Sequence, residues 1–342
     1  MEIQPAPFVS PRTEQLRSKL IGLGNIAPAL DQCQLVRGLL TVGGSSLCYG
    51  PSNCGKTFWV LDLAMHIAAG VPWRGKRVST GHVVYLAAEG GSGIINRLAA
   101  LKQESPHLCD HDRFHLLPTT VDLSGKEDAI AIAQILPDAD INLIVVDTLA
   151  RTIGDGDENS ARDAGVFIQN VDQIREQTGA HVLIIHHSGK NVEAGARGSS
   201  ALRAAVDTEI AIGAERQVTT PKQRDLPQTE PMFFDLKGVD LGADRYGDPV
   251  TSAVVIEADA PAVKAKPLSG RNEVAMQALE DAIRDHGDQH SGPDFPHNRR
   301  IVAKAHWRAA CDTHGLTDGK SESAARTAFN RAHDPTFYFH IF

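Results

Sequence analysis

The sequence predicts an α/β protein with a mostly parallel, twisted sheet, followed by a small helical module. Three observations carry this prediction. Between residues 35 and 258, apolar runs of strand length alternate with segments of helical period. Several of those runs end in a polar or charged side chain close to glycine, as strands do where they open onto a ligand. A stretch rich in Ala, Pro and Lys at 259–270 then divides the alternating region from a segment that has helical periodicity alone.

Taken in order, residues 1–34 read as an N-terminal arm, with Pro5, Pro7 and Pro11 ahead of a short helical pattern at 14–21. Strands are expected at 46–49, 82–87, 114–117, 141–146, 181–185, 208–212, 232–237 and 253–257. Helices are expected at 56–69, 94–103, 129–136 and 161–177. The last strands follow one another without helices between them, which predicts antiparallel hairpins at that end of the sheet. Residues 259–270 are the linker. In 271–342 helical patterns recur at 271–286, 301–314 and 322–331, ahead of the aromatic tail Phe337-Tyr338-Phe339-His340. Three short helices and a terminal strand suit a winged-helix-like module. A small helical packing appendage accounts for the same pattern.

Composition narrows the function classes. The chain has 342 residues, enough for one large core and a small second domain. Its five cysteines, Cys33, Cys48, Cys54, Cys109 and Cys311, form no C-x-x-C pair, which argues against a disulfide scaffold or a zinc site and fits a reducing cytosol. No basic-then-apolar leader is visible at Met1-Glu2-Ile3-Gln4-Pro5, and no apolar run approaches the roughly 18 residues of a membrane span. A cytoplasmic protein without a membrane partner is therefore expected. The formal net charge of −8 excludes broad phosphate neutralisation, so any nucleic-acid contact is local.

Chemistry first shows at Gly50-Pro51-Ser52-Asn53-Cys54-Gly55-Lys56-Thr57, which fits the phosphate-loop pattern G-x-x-x-x-G-K-[ST]. The apolar run Leu47-Cys48-Tyr49 precedes it, and a helical pattern beginning at Phe58 follows it. Glycines let the backbone wrap a polyphosphate, and the helix N-terminus adds partial positive charge. Lys56 is expected to bridge the β- and γ-phosphates, and Thr57 to offer its hydroxyl to Mg²⁺. No N-K-x-D guanine-reading signal appears, which favours ATP.

Three further strand ends extend the site. Leu143-Ile144-Val145-Val146-Asp147 places a carboxylate where it can reach the Mg²⁺ shell beside Thr57. His82-Val83-Val84-Tyr85-Leu86-Ala87-Ala88-Glu89-Gly90-Gly91 ends in Glu89, which either accepts a proton from the attacking water or caps the next helix. Val182-Leu183-Ile184-Ile185-His186-His187 ends in two histidines, of which only one can face the γ-phosphate, because neighbouring strand side chains point to opposite faces; His186 is favoured by a small margin. The Gly-rich stretch 189–200 carries Lys190 and Arg197, with Arg203 just beyond. It could grip a nucleic-acid backbone, send an arginine to a neighbouring subunit's nucleotide, or be a plain surface loop.

These signatures, in this order, resemble the RecA-like P-loop ATPases, and within them the RepA-type hexameric replicative helicases of plasmids, phages and mobile elements. The resemblance spans residues 35 to 258. It rests on Leu47-Cys48-Tyr49 with the phosphate loop, Leu61 to Gly70, Tyr85-Leu86-Ala87-Ala88-Glu89-Gly90, Ile144-Val145-Val146-Asp147-Thr148, His186-His187 and Arg197-Gly198-Ser199-Ser200-Ala201-Leu202. It implies a RecA-like core, ATP and Mg²⁺, a hexameric ring of identical subunits and single-stranded DNA in the channel. It also implies Glu89 as the hydrolytic base, a γ-phosphate-sensing histidine, and an arginine reaching the neighbour's site, with Arg197 and Arg203 as the candidates. The leading expectation is an ATP-driven motor on single-stranded DNA. A nucleotide-switched binding module without unwinding activity is the alternative, and a small-molecule kinase is a weaker one.

Overall fold

The structure is a computed structural model that describes residues 10–28, 33–88, 91–135, 140–187, 200–260, 270–289, 300–316 and the single residues Ser323, Ala324, Thr327 and Phe329. Two compact units emerge, Met1–Asp259 and Ala260–Phe342.

In the first unit a short helix, α1 (Pro11–Ser18), buries no side chain. A small pair of strands follows, β1 (Gln34–Val36) and β2 (Leu40–Thr41). The chain then runs β3 (Ser45–Gly50), α2 (Lys56–Ala69), β4 (His82–Ala87), α3 (Ser92–Glu104), β5 (Phe114–Leu117), α4 (Lys126–Ala133), β6 (Ile141–Asp147), α5 (Leu149–Thr152), α6 (Ala161–Thr178) and β7 (His181–His187). After α7 (Ser200–Ala205) come β8 (Thr208–Ile212), β9 (Gln217–Gln223), β10 (Met232–Ala243) and β11 (Pro249–Ala258).

Nine strands form one sheet in the order β11-β10-β9-β8-β3-β7-β6-β4-β5. From β8 to β5 every pairing is parallel, and from β8 to β11 every pairing is antiparallel. This is the α/β sheet with terminal hairpins that the alternation of runs predicts.

The parallel strands read as unbroken apolar runs because both faces are covered. Cys48, Val83, Tyr85, Val145, Leu183 and Ile185 face one core, shared with α2 and α3. Their neighbours Leu47, Val84, Val146, Val182 and Ile184 face the other, shared with α4, α6 and α7. Truncating one such side chain to alanine costs about 2–5 kcal/mol. Helix α2 is apolar around most of its circumference, with Trp59, Val60, Leu61, Leu63, Ala64, Met65 and Ile67 all buried. The hairpin of β10 and β11 explains this. Val239 and Val254 join the core of α2, and Lys237 pairs with Glu104 of α3 at 2.6 Å.

Strand β9 and the β1–β2 pair were not expected from the sequence. Pro221 and the polar run around it disguise β9. Pro221 is tolerated there because β10 pairs with β9 only at Gln217 and Val218, and because the β8 register shifts between Glu209 and Ala211.

In the second unit, α8 (Arg271–His286) is followed by the paired β12 (Asp288–Gln289) and β13 (Arg300–Ile301), then α9 (Lys304–Thr313). Ala275, Ala278 and Ala282 of α8 form a core with Trp307, Cys311 and Phe329. Trp307 Nε1 donates to the Ala275 carbonyl at 2.9 Å, so the indole is buried without an orphaned donor. Only four residues of the expected third helix are described, and the aromatic tail lies outside the described residues.

Candidate nucleotide site

β3 ends at Gly50, and the chain turns through Pro51, Ser52, Asn53 and Cys54 into α2. Two glycines make the turn possible. A Cβ on Gly50 would lie 2.2 Å from the Ile212 carbonyl oxygen, so no other residue lets β3 and β8 pass this closely. Gly55 takes φ +98° at the N-cap of α2, and a Cβ there would meet the Phe234 ring at 3.0 Å. Asn53 is also left-handed, at φ 63°. No side chain among the described residues caps the first turn of α2, so its leading amides are left for an anion.

Lys56 is buried at 5 % exposure. Its Nζ donates to the carbonyls of Gly50, at 3.0 Å, and Pro51, at 2.8 Å, and lies 3.3 Å from His187 Nδ1. The ammonium is thus held inside the loop by the loop's own backbone, where a phosphate would compete for it. Thr57 and Phe58 are half-buried in the same turn. Arg97 of α3 lies over the Phe58 ring at 4.8 Å.

Asp147 ends β6, in register with Ala87 on one side and Ile185 on the other. Its Oδ2 accepts a hydrogen bond from the buried Tyr85 hydroxyl at 2.7 Å. Burial first, and the Asp147 charge second, push the Tyr85 hydroxyl well above its ordinary range, so it stays a donor. The Asp147–Thr148 peptide is cis. Beside it Thr148 Oγ1 is buried with no hydrogen-bond partner among the described residues. Burial raises the Cys48 thiol, with the Lys56 charge opposing the rise and the Asp147 charge adding to it. A cationic loop beside a buried strand-end carboxylate is the donor set a Mg²⁺–polyphosphate needs.

The two histidines divide as strand geometry requires. His187, half-buried, is the one beside Lys56, and His186 is buried at 1 % exposure opposite Tyr49. Glu89, Arg197 and the stretch 188–199 lie outside the described residues. Arg203 of α7 is engaged within its own chain: its Nη2 is 2.9 Å from the buried Glu209 carboxylate. Lys222 fastens the same turn by donating to the carbonyls of Arg203, at 2.7 Å, and Ala204, at 3.1 Å. Sequence reasoning missed Tyr85 and Arg97 as neighbours of the site. A tyrosine in an otherwise aliphatic strand was the available signal for the first; nothing local marked the second.

A model of the AAA domain family (AAA_25) matches residues 11–193, more than half of the chain. The chain belongs to the AAA domain family. It is an AAA-type P-loop ATPase, and the matched stretch holds the phosphate loop, Asp147, His186 and His187. No curated protein matches the chain. Among solved structures, a RadB recombinase is similar at 16% identity, over 57% of this chain and 88% of the other, with a TM-score of 0.43. A KaiC-like protein from Pyrococcus horikoshii OT3 is similar at 13% identity, over 61% and 92%, with a TM-score of 0.45. Among the described residues of this AAA protein, no helix is long and apolar enough to cross a membrane.

Proposed function

We propose that this AAA ATPase is an ATP-driven motor on single-stranded DNA, assembled as a hexameric ring of identical subunits and serving as the replicative helicase of a plasmid, phage or integrative element. The observation that carries the ATPase part is Lys56, buried inside the phosphate loop on the Gly50 and Pro51 carbonyls. The DNA part rests on the resemblance to RepA-type helicases.

In this reading Lys56 and the amides at the start of α2 bind the phosphates of ATP. Thr57 and Asp147 would hold Mg²⁺, which when bound neutralises the charge developing on the β- and γ-oxygens. Tyr85 keeps Asp147 aimed by occupying one of its oxygens. Glu89 orients the attacking water and takes its proton. His186 carries the γ-phosphate state toward the 189–199 loop, and the contact of His187 with Lys56 supports a share for that ring. Pairing of Arg203 with Glu209 in its own chain favours Arg197 as the residue that reaches a neighbour's nucleotide.

A nucleotide-switched binding module without unwinding activity is the second reading, favoured by the net charge of −8. ATPase rate measured with and without single-stranded DNA, beside the mass of the assembly, separates the two. Strong stimulation by a ring supports the motor; a rate indifferent to DNA sinks it.

A further inference from the structure

The sheet order sets the phosphate loop between the strand of Asp147 and β8. β6, with Asp147 at its end, stands two strands to one side of β3, and β8 stands directly on the other side. A triphosphate whose metal-bound end faces Asp147 leads its ribose and base off over β8. There the chain turns into β9 through Gly213 and Arg216, closed by Gly213 N–H to the Gln217 carbonyl at 2.8 Å and Arg216 N–H to the Gly213 carbonyl at 3.1 Å. The turn adjoins the phosphate loop at the Ile212 carbonyl beside Gly50. On its far side Phe234, whose ring packs on Gly55, donates its N–H to the Arg216 carbonyl at 3.3 Å. Burial raises the Cys54 thiol of the loop, and Arg216 is, with Lys56, among the charges that oppose the rise.

Arg216 does not stand there for the fold. Its φ of 56° is left-handed, where a side chain costs roughly 1–2 kcal/mol that glycine avoids. Its ion pair with Asp235 is a surface pair, 34% and 58% exposed, and such pairs contribute about 0–1 kcal/mol. The strain therefore exceeds what the pair returns. What the pair does is tether the Nη1 end of the guanidinium to a carboxylate, while the planar cation keeps faces on which an aromatic ring can stack.

We propose that Arg216, oriented by Asp235, is the shelf on which the nucleobase of the bound nucleoside triphosphate stacks. This rests on the nucleotide reading above and adds a base-binding residue to it. Phe234 and Leu236 sit against Gly55, and the Phe234 N–H bond to the Arg216 carbonyl ties them to the turn that carries the shelf.

The test measures Mg²⁺-dependent binding of ATP and of inorganic tripolyphosphate, which lacks a base, to the full chain and to Arg216→Gly. Glycine suits the backbone at 216, so the variant keeps its melting temperature. R216G is expected to lose roughly thirtyfold in ATP affinity, the size of one desolvated cation–π contact, and to bind tripolyphosphate like the parent. Arg216→Lys, which keeps the charge but not the plane, should fall with it. Unchanged ATP affinity in R216G overturns the assignment, as does an equal loss for ATP and tripolyphosphate, which would make Arg216 a phosphate ligand. If the parent binds neither compound, the nucleotide reading itself fails, and the shelf falls with it.

Discussion

The Tyr85 hydroxyl donates to Asp147 Oδ2 at 2.7 Å across two neighbouring parallel strands, and both groups are buried. The bond fixes one oxygen of the carboxylate and so sets its angle. Tyr85→Phe removes one oxygen and no packing, so the fold should lose about 1.5–3 kcal/mol, the range for a hydrogen bond to a charged group. The larger effect falls on metal use. ATPase activity titrated with Mg²⁺ should need several-fold more metal for half-saturation, and saturating metal should restore most of the rate. An unchanged Mg²⁺ curve would remove Tyr85 from the site.

Lys56 answers to a harsher test. Its ammonium sits between the Gly50 and Pro51 carbonyls, aimed where phosphate oxygens would compete. In Lys56→Ala the loop loses both its internal tie and its charge. Loss of a donor aimed at developing negative charge costs on the order of 10²–10³ in turnover, and calorimetry should show ATP binding weakened as well. His187→Ala leaves the two carbonyl contacts in place, so its effect should be milder than that of K56A. Equal losses in the two variants would contradict that ranking.

Glu89 is proposed as the base from its strand-end position and the resemblance to the RecA-like ATPases. Glu89→Gln keeps size and hydrogen bonding but cannot take a proton. Single-turnover hydrolysis should slow by about 10²–10⁴ while the ATP dissociation constant stays near that of the parent. Full hydrolysis by E89Q would return Glu89 to a helix-capping role.

What the sequence made legible follows from what was local. The phosphate loop, Asp147 and the paired histidines announce themselves because an apolar run and its polar terminus are adjacent in the chain. The Tyr85–Asp147 bond is not local: it exists only once β4 and β6 pair with Ala87 beside Asp147. Which of His186 and His187 lies beside Lys56 likewise depends on which face of β7 meets α2. β9 was hidden because Pro221 and the polar Lys222 and Gln223 after it read as a loop, and only pairing with β8 makes the segment a strand. Arg203 read as a candidate to reach a neighbour's site, and its pairing with Glu209 becomes visible only once α7 is placed beside β8.

His181 gives the fold a pH dependence of known sign. It is fully buried at the start of β7, where the Thr41 carbonyl, 2.7 Å from Nδ1, can only accept. Nδ1 therefore carries the proton, and Nε2 accepts from the Ser46 hydroxyl at 2.9 Å. Burial is the chief cause that lowers its pKa from 6.5 to about 4. Between those values the unfolded chain binds a proton that the folded chain refuses, so stability is full above pH 6.5 and falls as pH falls toward 4. The loss reaches about 3 kcal/mol at the acid end. Melting temperatures recorded at pH 7, 5.5 and 4 should decline in that order. His181→Gln should start lower at pH 7, because one of the two bonds is lost, yet decline less steeply. Parallel declines in the two proteins would place the acid sensitivity on other groups.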